Sequence, residues 1–177
     1  MKMAQEQEPL SLVMNSFLAS SLYFSRQYDQ AIEQSNKTLE LDPSFGVGRW
    51  NLGLAYIQKK RIADAISQLQ QAFVLSGGSL LMKAALGQAY AAAGEKAEAM
   101  KILDELNTHS KQRYVPSSEI AAIYVCLGER EQAFHRLENA LEERAFHLIY
   151  LKSRPEFDPL HSDPRFADLL RRIGLEK

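Results

Sequence analysis

A period of 34 residues runs through most of this chain and constrains its fold more than any other feature. Ala31, Ala65, Ala99 and Ala133 are spaced by it. The same step links Leu18, Leu52, Leu86 and Ile120; Ala19, Gly53, Gly87 and Ala121; and Leu22, Tyr56, Tyr90 and Tyr124. It also links Ile32, Ile66, Met100 and Phe134, and Thr38, Ala72, Leu106 and Ala140. Self-similarity at a fixed spacing marks stacked supersecondary units, none of which buries its apolar face alone. Counting from Leu12, the units are 12–45, 46–79, 80–113 and 114–147.

Each unit reads as two helices, A and B. In the second unit Leu52 and Tyr56 lie on A, with Lys59 and Lys60 closing it. Ala65, Ile66, Leu69, Ala72 and Phe73 give B the spacing of one buried face. Small residues, Gly53 on A and Ala65 on B, stand where two helices approach closely, and Tyr56 fills the space beside them. Asp42-Pro43 closes unit one, Gly77-Gly78 closes unit two, and Pro116 sits near the start of the fourth A helix. Gly94 and Gly128 mark the A-to-B turn in units three and four, where Arg26 and Lys60 stand in units one and two.

Leu52-Gly53-Leu54-Ala55-Tyr56, followed by Ala65 and Ala72 at this period, resembles the tetratricopeptide repeat. Unit one departs from the pattern at Ala19, Leu22 and Ser35, and unit four at Ile120 and Ala121, all still small or apolar. The resemblance covers 12–147. It implies an all-α fold: a right-handed α-α superhelix of about four helix pairs, followed by C-terminal capping helices.

Residues 1–11 contain Glu6-Gln7-Glu8-Pro9, which parallels Glu40-Leu41-Asp42-Pro43. Two readings stand: the remnant of a preceding repeat, or a cap on the first helix. The apolar run from Pro9 to Leu22 lacks the basic flank of a secretion signal. Residues 148–177 leave the repeat and carry Pro-x-Phe-x-x-Leu twice, at 155–160 and 164–169. An open solenoid end needs a cover with a polar outside. Phe157, Leu160, Phe166, Leu169, Leu170 and Ile173 are expected to face inward, and Arg165, Asp168, Arg171 and Arg172 outward. The run from Phe157 to Phe166, with Leu169-Leu170-Arg171-Arg172-Ile173-Gly174-Leu175, resembles the closing segment of bacterial multidomain regulators. In those, a tetratricopeptide array follows a winged-helix or serine/threonine kinase domain. This chain has no segment of either kind, so neither activity is assigned to it.

Composition narrows the chemistry. With 21 Lys and Arg against 22 Asp and Glu, the formal net charge is -1, which provides no basic field for nucleic acid or anionic lipid. No run of about 20 apolar residues is present for a membrane span. The single cysteine, Cys126, excludes an internal disulfide and any zinc site built on several thiolates, and it is compatible with a cytoplasmic location. The four histidines include no i, i+4 pair. Glu131, His135 and Glu138 share one face of the last B helix, and solvated helix surface explains them better than a metal site. Gly77-Gly78-Ser79 is a helix break without the lysine of a phosphate loop. No catalytic residue, metal site or cofactor is expected, so the function is expected to lie in the surface.

The resemblance implies that the A helices line a concave groove. The residues it places there include Val13, Tyr23 and Phe24 in unit one; Val47, Trp50, Leu54 and Ile57 in unit two; and Leu81 and Gln88 in unit three. Unit four contributes Val115, Ser118, Ala122, Val125 and Cys126. Two readings stand for Tyr23, Phe24, Trp50 and Ile57: an apolar patch large enough to meet a partner, or internal packing, with Trp50 between units one and two and Tyr23 and Phe24 covered by residues 1–11 or a preceding repeat. The cationic clamp of chaperone-binding relatives is missing: its positions hold Ser16, Ser20, Asn51, Leu81 and Ala85, of which Asn51 alone matches. A terminal carboxylate would therefore lack its cations. The expected function is a non-catalytic scaffold for protein-protein interaction that takes an apolar peptide or helix in the groove. The alternative is self-assembly of this chain into a homo-oligomer.

Overall fold

The computed structural model describes residues 11–110 and 114–176. Residues 1–10 and 111–113 lie outside the described residues, and so does nearly all of the expected N-terminal remnant or cap. The described residues form nine α-helices, two 3-10 helices and no strand. Four A/B pairs come first: α1 (Leu12–Phe24) with α2 (Tyr28–Leu41), α3 (Gly46–Gln58) with α4 (Ile62–Leu75), α5 (Leu80–Ala92) with α6 (Lys96–Ser110), and α7 (Ser117–Cys126) with α8 (Arg130–Glu142). The 3-10 helices η1 (Phe146–Tyr150) and η2 (Pro155–Leu160) follow, then α9 (Pro164–Arg172). This is the expected α-α superhelix with a capping tail. Among the described residues no helix is long and apolar enough to cross a membrane.

The period recurs as geometry at each A-to-B turn. Arg26, Lys60, Gly94 and Gly128 all sit at φ between 60° and 79°. At each turn the next residue's N–H bonds back to the carbonyl of Leu22, Tyr56, Tyr90 or Tyr124. That pairing satisfies carbonyls the helix end would otherwise leave free. Two of the four turns therefore use a side chain where glycine is the unstrained choice.

The A helices pack on one another in sequence, α1 on α3, α3 on α5 and α5 on α7, and each B helix packs on its own A helix. The alanines at 31, 65, 99 and 133 are fully enclosed, as are Leu69, Leu103 and Leu137, again one period apart. A Cβ on Gly53 would stand 2.5 Å from Leu69 Cγ, so the space there belongs to a leucine side chain. Of the tyrosines aligned with the core, Tyr56 is buried, whereas Tyr90 and Tyr124 are half-buried. Pro116 shortens the fourth A helix, which starts at Ser117, three residues after the unit boundary.

The tail holds to the repeat more closely than its sequence implied. Helix α9 begins 34 residues after α8, the same step that separates the earlier B helices. Residues 146–160 occupy the place of a fifth A helix, but they form two short 3-10 turns, the second opening at Pro155 and containing Pro159. Phe157, Leu160, Phe166 and Leu169 are buried as expected, in a cluster with Phe134 and Leu137 of α8. Leu170 and Ile173 pack at its edge, and Arg165, Arg171 and Arg172 are exposed. Asp163 caps α9 by accepting from the Arg165 N–H.

Candidate partner groove

The concave face carries α1, α3, α5 and α7, and the chain's own tail lies across it. This corrects the reading of an open aromatic patch: Tyr23 is only 4% exposed and Ile57 7%. What covers Tyr23 and Phe24 is the segment around 150–156, far away in sequence. Phe24 stacks on Tyr150 with ring centroids 5.1 Å apart and planes 9° apart. The Tyr23 hydroxyl donates to Glu156 Oε2 at 3.3 Å, and Arg26 Nη2 reaches Asp158 Oδ1 at 2.6 Å.

At the centre is a buried ionic cluster. Arg154 donates to both carboxylate oxygens of Glu119 on α7, at 2.5 and 2.9 Å, and to Glu156 Oε1 at 2.7 Å. All three side chains are buried. Burial alone pulls the Arg154 guanidinium down; the two carboxylates outweigh it and hold the group above its ordinary value. Burial, then the Glu156 carboxylate, pushes the Tyr23 phenol well up, so it stays a donor. Two carboxylates against one guanidinium leave the cluster one negative charge in excess.

The groove reading missed these three residues, although the repeat columns contained the signal. Glu119 follows the buried Asn51 and Ala85 at the 34-residue step, and Arg154 extends the column of Leu18, Leu52, Leu86 and Ile120. A charge continuing an apolar column needs a buried partner.

The tail divides the concave face in two. A pocket of about 50 Å³ is lined by Tyr23, Phe24, Trp50, Leu54, Leu81 and Gln88 against His147, Tyr150 and Arg154 of the tail. A wider recess of about 360 Å³ opens on its far side, along Ile57, Gln58, Gln88, Val125 and Cys126. Gln88 and Glu156 border both. Of the groove residues named from sequence, Tyr23, Phe24, Trp50, Leu54, Leu81 and Gln88 thus converge on the small pocket, and Ile57, Val125 and Cys126 reach only the recess. Asn51 is an inter-repeat pin: it accepts from the Ser20 hydroxyl at 3.1 Å and donates to the Ser16 carbonyl at 3.0 Å. Val13 and Val47 line neither space and are 56% and 37% exposed.

Other candidate chemistry resolves into structure. Burial pushes the Cys126 thiol up to about 12, far from a thiolate at neutral pH. Glu131 and Glu138, which flank His135, each accept from Nη1 and Nη2 of a tail arginine, Arg165 and Arg172 respectively. Each arginine stands one period beyond its acid, so the pairs join equivalent positions of adjacent B helices. Among the described residues, no group of three His, Cys, Asp or Glu side chains is placed to hold a metal ion.

Comparison with known proteins agrees with this architecture. The tetratricopeptide repeat family matches residues 48–75. The solved structure of YrrB, a TPR protein with an unusual peptide-binding site, superposes with a TM-score of 0.53 at 15% identity, over 99% of this chain and 91% of that one. A search of curated proteins finds no match. Residues 48–75 are thus a tetratricopeptide repeat, and the chain around them folds as a tetratricopeptide-like superhelix.

Proposed function

We propose that this chain is a non-catalytic protein-interaction scaffold whose concave face takes an apolar peptide or helix. The carrying observation is the convergence of Tyr23, Phe24, Trp50, Leu54 and Leu81, drawn from three successive A helices, on one apolar pocket. Aromatic side chains in such a setting tend to dominate binding energy. The peptide-binding site named for YrrB supports the reading by analogy of fold. The tail's likeness to the closing segment of bacterial regulators extends it: the scaffold serves as the partner-recognition part of such a regulator. Affinity capture with the wild-type chain and Trp50→Ala in parallel tests this. The wild type is expected to retain a protein that Trp50→Ala loses, with a deficit of about 2 kcal/mol for a dominant contact. Equal capture by both chains would remove the groove from the proposal.

A second reading, self-assembly, has one observation in its favour. Val13 and Phe17 stand exposed, one turn apart, on the first helix of the array. Sedimentation over a wide concentration range decides it, since a strict monomer at the highest concentration eliminates assembly.

A further inference from the structure

The tail is attached to the two ends of the array in different ways. Its grip on the fourth repeat is deep: Phe157, Leu160, Phe166 and Leu169 are enclosed, and Arg154 is bound bidentate to Glu119. Its grip on the first repeat is shallow. It consists of the Phe24–Tyr150 stack, the Tyr23–Glu156 hydrogen bond at 3.3 Å and the Arg26–Asp158 pair, whose side chains are 36% and 48% exposed. A lone exposed ion pair and one ring stack hold weakly in water. The aromatic pocket lies directly behind this seam. Parting it requires that α1, which Asn51 pins to α3, move away from residues 150–158, while the tail keeps its place on α7 and α8.

Charge is unevenly divided between the two lips. The tail lip carries Lys152, Glu156 and Asp158, and with Arg154 and Glu119 beneath them it has one negative charge in excess. The α1 lip carries Arg26. When the seam parts, Asp158 loses its guanidinium and Glu156 loses the Tyr23 hydroxyl. A segment lying between the lips must offer a donor to the acidic side and apolar surface to Trp50, Leu54 and Leu81.

Resting on the scaffold reading above, we infer that the groove opens at the seam between α1 and residues 150–158, and that the partner segment it takes combines an aromatic or large aliphatic side chain with a nearby lysine or arginine. The apolar side chain enters the pocket and the cation replaces Arg26 against Asp158 and Glu156.

The test selects a phage-displayed library of short random peptides on the full chain and then measures the recovered peptides by the emission of Trp50, the only tryptophan. In a Cys126→Ser background, Ser25→Cys and Pro159→Cys, both at exposed positions flanking the seam, are joined by a short bismaleimide or blocked singly. Recovered peptides are expected to pair an aromatic with a basic residue and to shift Trp50 emission. They are expected to bind the joined chain about tenfold or more weakly than the blocked one, and Asp158→Lys roughly fivefold more weakly than wild type. Equal binding to joined and blocked chains overturns the opening seam. Peptides that shift Trp50 but carry no basic residue and ignore Asp158→Lys overturn the charge match and leave the scaffold reading standing. Peptides that bind without moving Trp50, or a library that yields none, overturn the groove itself.

Discussion

The middle of the array and its C-terminal closure solve the same problem by different means. Between α3 and α6, neighbouring helices meet through repeated small and branched side chains: Gly53 against Leu69, Gly87 against Ile102, and enclosed alanines one period apart. Nothing there is charged and buried. At the closure, Glu119, Arg154 and Glu156 are buried together, and an aromatic stack, Phe24 on Tyr150, bridges the first repeat to the tail. Apolar columns generate a uniform rotation that any number of units can continue. A buried ion cluster holds one geometry only, because its members are satisfied in one arrangement and costly in others. The interior sets the curvature; the closure marks where the curvature stops and what faces inward.

The largest break in this comparison is Arg154→Met. It leaves Glu119 and Glu156 buried without their cation, a change of about 3–5 kcal/mol in unfolding free energy by urea denaturation. Adding Glu119→Leu removes one stranded charge and is expected to recover part of the loss. A cost for Arg154→Met below about 1 kcal/mol would mean that the closure is held by its apolar side chains alone, as the interior is.

Gly53→Ala probes the interior by the same measurement. The added methyl would meet Leu69 Cγ at 2.5 Å, and Leu69 is itself fully enclosed. Overpacking of this kind costs about 1–3 kcal/mol. A neutral substitution would show that Leu69 shifts freely and that the interior is less tightly specified than its enclosed alanines imply.

The two regions also differ in how far sequence alone revealed them. Ala65 and its partners at the 34-residue step were enough to place four helix pairs, because each column reports the same contact four times. The direction of Phe157, Leu160, Phe166 and Leu169 was legible from two short helical patterns. Arg154 and Glu119 were not paired in advance, since a single ion pair 35 residues apart has no repetition to betray it. For the same reason the repeat positions place Tyr23 and Trp50 on the same face but do not show what covers Tyr23. Nothing local to α1 announces that Tyr150 and Glu156 return to it through the curvature of the array.

Smaller effects are expected at the turns, where the first repeat differs from the second. Lys60 and Arg26 both sit at φ near 60° in equivalent turns. Lys60→Gly relieves that conformation and is expected to stabilise by about 1 kcal/mol. Arg26→Gly gains the same relief and loses the pair with Asp158, so its net gain is smaller, and Trp50 becomes more accessible to acrylamide quenching. Equal stabilisation with unchanged quenching would show that the Arg26–Asp158 pair contributes nothing to the seam.

The smallest expected effect sits on the outer surface of the closure, where charge is exposed instead of buried. The Arg165 side chain, then its backbone N–H, holds the Asp163 carboxyl down at about 2. An ordinary aspartate titrates near 3.9. A carboxyl lowered in the folded state contributes stability that is present above its unfolded value and lost as pH falls through the folded one. The docking of α9 on α8 is therefore expected to weaken between about pH 4 and pH 2, and not at neutral pH. Glu131, lowered by the same Arg165, shifts in the same direction. Carboxyl resonances followed by NMR should show Asp163 titrating near the bottom of that window. In Arg165→Ala they should move upward but stop short of the ordinary value, because the backbone N–H at residue 165 still donates. A midpoint that ignores Arg165→Ala would assign the capping of α9 to the backbone N–H alone.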